Sequence, residues 1–158
     1  MAGLELITQT PEATERIGRR LAALLPGGAV VALFGDLATG KTCLVRGMAA
    51  HHAGGAPVHS PTFTLVNQYG ADPVLYHLDL YRLGGPEELP DLGYEELFEP
   101  DGVCVVEWAE RAGLLLPPKR LDVHLTHEGG DARRLVFDDR GVMPEGWERA
   151  LQKANEDA

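Results

Sequence analysis

The chain has 158 residues, 44% of them apolar, and a formal charge of −10, which is enough for one domain with a single core, expected to span 1–158. Such acidity argues against holding DNA or RNA alone, because that task needs a basic footprint, and no apolar run is long enough to cross a bilayer. The two cysteines, Cys43 and Cys104, lie in apolar stretches outside any CxxC pair, so neither a disulfide scaffold nor a thiolate metal site is expected. Residues 1–20 lack a basic start followed by an apolar run, and a cytoplasmic location is expected.

Residues 10–25 are predicted to form a helix. Thr10 suits its cap, Pro11 its first position and Glu12 its positive end, while Ile17, Leu21, Leu24 and Leu25 make an apolar stripe. Pro26-Gly27-Gly28 ends it. Residues 29–34 read AVVALF, the pattern of a strand buried on both faces of a parallel sheet. A helix is expected over 40–51. Residues 62–69 alternate and are rich in β-formers, and with 74–80 they make a hairpin across Asp72-Pro73. Residues 86–98 read as helical, interrupted by Pro90 and Gly93. Residues 103–106 are a second wholly apolar strand, and strands at 121–126 and 134–137 flank the turn Glu128-Gly129-Gly130-Asp131. A closing helix over 144–153 is anchored in the core by Trp147, and the tail 154–158 is expected to fray. The sum is an α/β domain with a mixed sheet.

The chemistry sits between the strand at 29–34 and the helix at 40–51. Gly35-Asp36-Leu37-Ala38-Thr39-Gly40-Lys41-Thr42 has the spacing G-x-x-x-x-G-K-[ST] in the required strand–loop–helix context. Such a loop turns the amides from Asp36 to Cys43 onto a polyphosphate, with a helix N-terminus behind them. Gly35 and Gly40 permit the turn. Lys41 reaches the β- and γ-phosphates, and the Thr42 hydroxyl binds Mg²⁺. The ion also needs a carboxylate at a strand end. Glu107 follows the more apolar run, Val-Cys-Val-Val, and is assigned to the metal. Asp79 is left to position water or metal. Thr62, in Ser60-Pro61-Thr62-Phe63, is the threonine that a γ-phosphate-sensing switch would use. Gly54-Gly55-Ala56-Pro57 before it is loose enough to move.

A guanine-reading N-K-x-D is absent, which argues against a GTPase. Arg111 and Arg120 are available to a small-molecule kinase, but no lid-like insertion accompanies them. A non-catalytic nucleotide-sensing module is the other alternative. His51 and His52 fall at a helix end, where the dipole favours a protonated ring. His124 and His127, three apart on a strand, point to opposite faces. No metal is expected at either pair. His77 orients Asp79 or packs. The basic clusters Arg16-Arg19-Arg20, Lys119-Arg120 and Arg133-Arg134 are small, so a partner would supply most contact to any nucleic acid.

The strings GDLATGKT, SPTFTLVNQY, LYHLDLYRL and EWAER, in that order and from about Thr10 to Arg134, resemble the TsaE (YjeE) family of small bacterial P-loop ATPases. The resemblance implies a P-loop NTPase-like three-layer sandwich, a mixed central β-sheet flanked by helices. It implies an ATP- and Mg²⁺-dependent subunit that supports threonylcarbamoyladenosine synthesis in tRNA. The partners would be TsaD and TsaB, with tRNA reached only through that complex. By position, Lys41 and Thr42 match the phosphate lysine and magnesium hydroxyl. Thr62 matches the switch threonine, Asp79 an acid important for hydrolysis, and Glu107 the magnesium-associated acid. Trp108, Arg133 and Thr10 match positions near the nucleotide. The family loop is commonly G-D-L-G-A-G-K-T-T. Here Ala38 replaces the middle glycine, Thr39 follows it and Cys43 replaces the last threonine. A Cβ at position 38 disfavours a left-handed backbone by about 1–2 kcal/mol.

Overall fold

A computed structural model describes residues 3–36, 39–53, 66–70, 74–80 and 101–156. The strands are β1 (Gly3–Thr8), β2 (Val30–Phe34), β3 (Val66–Tyr69), β4 (Leu75–Asp79), β5 (Val103–Glu107), β6 (Leu121–Gly129) and β7 (Ala132–Asp139). The helices are α1 (Pro11–Leu24), α2 (Lys41–Ala53) and α3 (Trp147–Glu156), with a 3₁₀ segment at Ala109–Leu115. The seven strands form one sheet in the order β1-β7-β6-β2-β5-β4-β3.

The apolar runs lie where their composition demands. β2 is the central strand, paired in parallel with β5 on one side and β6 on the other. Alternate residues of these strands serve opposite faces. Val31, Leu33, Val103 and Val105 join the core beneath the three α-helices. Val30, Ala32, Cys104 and Val106 join a second core with Ala109, Ala112 and Leu116 of and after the 3₁₀ segment. Both faces are therefore covered, and the sandwich is α/β with a mixed sheet. Burial pushes the Cys104 thiol up to about 12. Cys43 is half-buried, and the Arg46 guanidinium donates to its Sγ at 3.7 Å. Its surroundings are thus less apolar than the sequence suggested.

α1 begins as its caps predict: Thr10 Oγ1 accepts from the Ala13 amide at 3.1 Å and Pro11 takes the first position. α1 and α2 cross in backbone contact. A Cβ on Gly18 would lie 2.1 Å from the Leu44 carbonyl oxygen, and one on Gly47 would lie 1.9 Å from that of Glu15. Trp147 is buried and meets the Phe137 ring edge-on, centroids 6.2 Å apart, as its expected anchoring role requires.

Several elements differ from expectation. β1 was not among the expected strands, yet it pairs antiparallel with β7 along its whole length and buries Leu4, Leu6 and Thr8. The Thr8 and Thr14 hydroxyls share a buried hydrogen bond of 2.7 Å that ties β1 to α1. α3 starts later than expected and stays helical through Glu156, past the point where fraying was expected. Ala154 is buried there, and its carbonyl accepts from Arg16 Nε at 3.0 Å. Of the hairpin expected from 62–69 and 74–80, the antiparallel pair β3–β4 is present, and its turn at Asp72-Pro73 lies outside the described residues. Residues 62–65, and the helix expected over 86–98, lie outside the described residues.

Candidate functional site: a phosphate loop at the carboxyl edge of the parallel strands

In open α/β sheets, ligands gather beyond the carboxyl ends of the parallel strands. Here three such ends lie side by side. Leu33 of β2 pairs with Glu107 of β5, and Glu107 pairs with Asp79 of β4. β2 then leads into the glycine-bearing loop, and α2 starts at Lys41 on its far side.

The loop's described residues are fixed by close approach. Gly35 has φ +150°, and a Cβ there would lie 2.6 Å from the Leu125 carbonyl and 2.8 Å from Thr39 Oγ1. No other residue fits that position. Thr39 is buried, and its hydroxyl donates to the Asp36 carbonyl at 2.8 Å, closing the turn. Gly40 has φ +99° and leaves its face open to the aliphatic stem of Arg133, whose Cγ would stand 3.5 Å from an added Cβ. The Arg133 guanidinium donates to the carbonyls of Gly130 and Ala132, at 2.8 and 2.9 Å. The β6–β7 turn thus holds it over the loop. Leu37, Ala38 and Thr62 lie outside the described residues, and with them the question of strain at Ala38.

Lys41 is the focus of the site. Only 5% of it is exposed. Its ammonium donates to the Gly35 carbonyl and stands 3.6 Å from the centroid of the Trp108 ring, a cation–π contact. Burial pushes its pKa below the ordinary lysine value. The negative charges of Glu107, Glu110, Asp79 and Asp36 oppose that shift. The four acids named around one lysine bring the loop and both strand-end carboxylates into one electrostatic neighbourhood. Glu110 was not singled out from the sequence.

Trp108 carries the one positive φ of a non-glycine residue among the described residues, +58°. A left-handed residue with a bulky side chain costs about 1–2 kcal/mol. That backbone turns its ring to the lysine directly after Glu107. Thr42 and Cys43, the next residues of α2, are half-buried at the same helix end. Thr10 is exposed and engaged as the α1 cap. It comes two residues after Thr8, whose partner in β7 is Arg133.

Glu107 is nearly sealed, 3% exposed, and its carboxyl group is hydrogen-bonded to Nε2 of His77, which is 0% exposed. His77 is thus hydrogen-bonded to Glu107 on the neighbouring strand, and Asp79 lies on the same face of the sheet. His77 Nδ1 and the Tyr69 hydroxyl are both buried and have no hydrogen-bond partner among the described residues. The His77 and Tyr69 ring centroids are 6.4 Å apart. On the sequence assignment of Glu107 to Mg²⁺, replacing His77 with Leu is expected to free the Glu107 side chain and raise the Mg²⁺ concentration needed for half-maximal nucleotide binding about tenfold. His77→Gln, which keeps a donor, should recover most of that loss. A Mg²⁺ titration monitored by calorimetry reads the difference, and equal curves for both variants would remove the orienting role.

Several other ionisable groups have partners away from the loop. Arg120 Nε and Arg140 Nε hold the buried Asp122 carboxylate at 2.7 and 2.8 Å, so Arg120 is occupied away from the loop. His51 departs from the dipole expectation. Burial first, then the charges of His52 and Arg19, push its pKa below the ordinary histidine value. His124 stacks on Phe34 with centroids 4.6 Å apart. Among the described residues, no three His, Cys, Asp or Glu side chains group to hold a cation.

A family model described as "Threonylcarbamoyl adenosine biosynthesis protein TsaE" matches residues 8–135. The chain is 40% identical over 139 residues to the tRNA threonylcarbamoyladenosine biosynthesis protein TsaE of Bacillus subtilis, covering 87% of this chain and 86% of that one. It is 39% identical to the protein of the same name from Treponema pallidum, covering 77% and 90%. The crystal structure of YdiB from Bacillus subtilis superposes with a TM-score of 0.69 at 31% identity, over 98% of this chain and 95% of that one.

Proposed function

Since the chain belongs to the TsaE family, we propose that it is an ATP-binding and ATP-hydrolysing subunit in the threonylcarbamoyladenosine modification of tRNA. It would act with TsaD and TsaB through an ATPase-driven cycle. The observation that carries this reading is Lys41, buried at the head of α2 between the Gly35 carbonyl and the Trp108 ring, with Glu107 and Asp79 on the strands beside it. An ammonium held this way, short of solvent and short of a paired carboxylate, exchanges a carbonyl for phosphate oxygens at a net gain.

Each residue then has a task. The amides from Asp36 through Leu37, Ala38, Thr39, Gly40, Lys41 and Thr42 to Cys43 cradle the phosphates. Thr42 and Glu107 would hold Mg²⁺, which when bound neutralises charge developing on the β- and γ-phosphoryl oxygens. The donor set fits a hard cation: one hydroxyl at a helix start and one carboxylate already oriented by His77. Asp79 positions the attacking water, and Thr62 senses the γ-phosphate. Arg133 lies against the loop's outer wall, Trp108 packs against the lysine, and Thr10 borders the nucleotide's base.

The acidic surface supports a division of labour in which the tRNA is held by the partners. The test is ATP turnover by the purified chain, slow alone and changed several-fold when TsaB and TsaD are added together. Failure to bind ATP, or failure to associate with the TsaB–TsaD pair, would refute the reading. Turnover that appears only with an added acceptor metabolite would transfer it to a kinase.

A further inference from the structure

The structure carries a second charged feature, distant from the phosphate loop. Arg16, Arg19 and Arg20 project from one side of α1, at the i, i+3, i+4 spacing that brings side chains together. With Ala23, His51 of α2 and Ala154 of α3 they line a hollow of about 290 Å³. A second hollow of about 280 Å³, also bordered by Arg20 and Ala154, continues it to Lys153. The two hollows share Arg20 and Ala154, and together they are taken as one groove with alanines in its floor and cations on its rim. His51 is ten residues along α2 from Lys41, about 15 Å at the helical rise, so the groove lies at the opposite end of that helix from the phosphate loop.

The rim's cations are not neutralised by carboxylates among the described residues. In a chain of net charge −10, Arg46, Arg120, Arg134 and Arg140 are all paired with carboxylates. Arg19, Arg20 and Lys153 have no carboxylate within 4.0 Å among the described residues. Arg16 spends Nε on the Ala154 carbonyl, a neutral acceptor. Glu15, the nearest acid in sequence, is turned to Arg46. The concentration of positive charge is felt locally, since Arg19 is one of the groups that depress the His51 pKa.

We infer that this groove is a docking site for a short acidic segment of a partner protein, with glutamate or aspartate carboxylates on the arginine rim and a small apolar side chain on the alanine floor. Charge complementarity selects an anion. Two features select peptide over nucleic acid. A polyanion many residues long feels the whole field of the chain, which is repulsive, whereas a short segment feels only the rim. The floor is also alanine, and the ring that borders it, His51, already meets the His52 ring edge-on with centroids 5.2 Å apart.

The test uses the full chain labelled with ¹⁵N and titrated with a synthetic peptide of alternating glutamate and alanine. A glutamine-for-glutamate version of the peptide and a short RNA hairpin are the comparison ligands. Amide shifts are expected along the second half of α1, the end of α2 and α3, with the glutamine peptide binding at least about tenfold more weakly. The double variant Arg19→Glu, Arg20→Glu should lose binding by a similar factor. Both residues are exposed, so its thermal midpoint should match the parent. Should it not, Arg19→Gln, Arg20→Gln gives the same reading with less perturbation. Nucleotide affinity should be unchanged in either variant, which separates this site from the phosphate loop. Equal binding of the glutamine peptide, shifts elsewhere or none, or capture of the groove by the RNA hairpin at physiological salt would each overturn the inference.

Discussion

Replacing Lys41 with Ala is expected to abolish measurable Mg²⁺-ATP binding, a loss of at least about 100-fold by isothermal calorimetry, while leaving the chain folded. Two considerations set the size. Truncating one side of a desolvated, charge-assisted contact costs roughly 2–5 kcal/mol, because the remaining phosphate charge is left without its counter-group. Lys41 also contributes little to the fold that its removal would expose. Its ammonium is buried at a cost that outweighs the attraction of Glu107, Glu110, Asp79 and Asp36, which leaves its pKa depressed, and in the free chain it donates to a carbonyl and faces a ring. Thermal stability should therefore hold or rise slightly. The same titration with Mg²⁺-GTP should give much weaker binding, as the missing guanine-reading segment requires. Retained ATP affinity in the alanine variant would dismantle the proposed phosphate site, whatever happened to activity.

Gly47→Ala should destabilise the chain, lowering its thermal midpoint by about 4–8 °C. Two opposing effects decide this. Alanine is the better helix former by about 1 kcal/mol, and on that ground alone the variant would be more stable. Its Cβ, however, would come within 1.9 Å of the Glu15 carbonyl, and backbone yields less readily than a side chain. Forcing two close-packed helices apart costs about 3 kcal/mol, so a net loss near 2 kcal/mol remains, which for a chain of this size corresponds to that shift. Gly18→Ala, pressing on the Leu44 carbonyl from the other helix, should behave alike. A displaced α2 would carry Lys41 and Thr42 with it, so nucleotide affinity should fall alongside stability. A midpoint at or above that of the parent would mean that α1 and α2 do not meet this closely.

Local pattern and distant pairing divide what could be read from the residues alone. The strand, loop and helix around Gly35–Thr42 are contiguous, so their spacing was legible. The place of Glu107 at the end of a central strand was legible because a wholly apolar run marks such a strand, and β5 does lie beside β2. The strand β1 alternates cleanly, but nothing within its neighbourhood shows what it pairs with: Gly3 meets Asp138 at the far end of the chain. The partner of His77 was missed for the same reason. It sits two residues from Asp79 in sequence, yet the side chain it touches is thirty positions away on the next strand. Arg133 reached the site through register too, by way of a hairpin turn that folds back over Gly40. At His51 the sequence offered a helix dipole, and burial outweighed it.

The contrast between the two sulfurs has a practical consequence. Cys104 is sealed between strands with its thiol held protonated, and reagents that attack thiolates have nothing to react with there. Cys43 stands partly open on the first turns of α2, two positions from Lys41. The unaltered chain thus offers a single addressable handle, and a dye or spin probe attached there would report on the phosphate loop without any cysteine having to be added or removed.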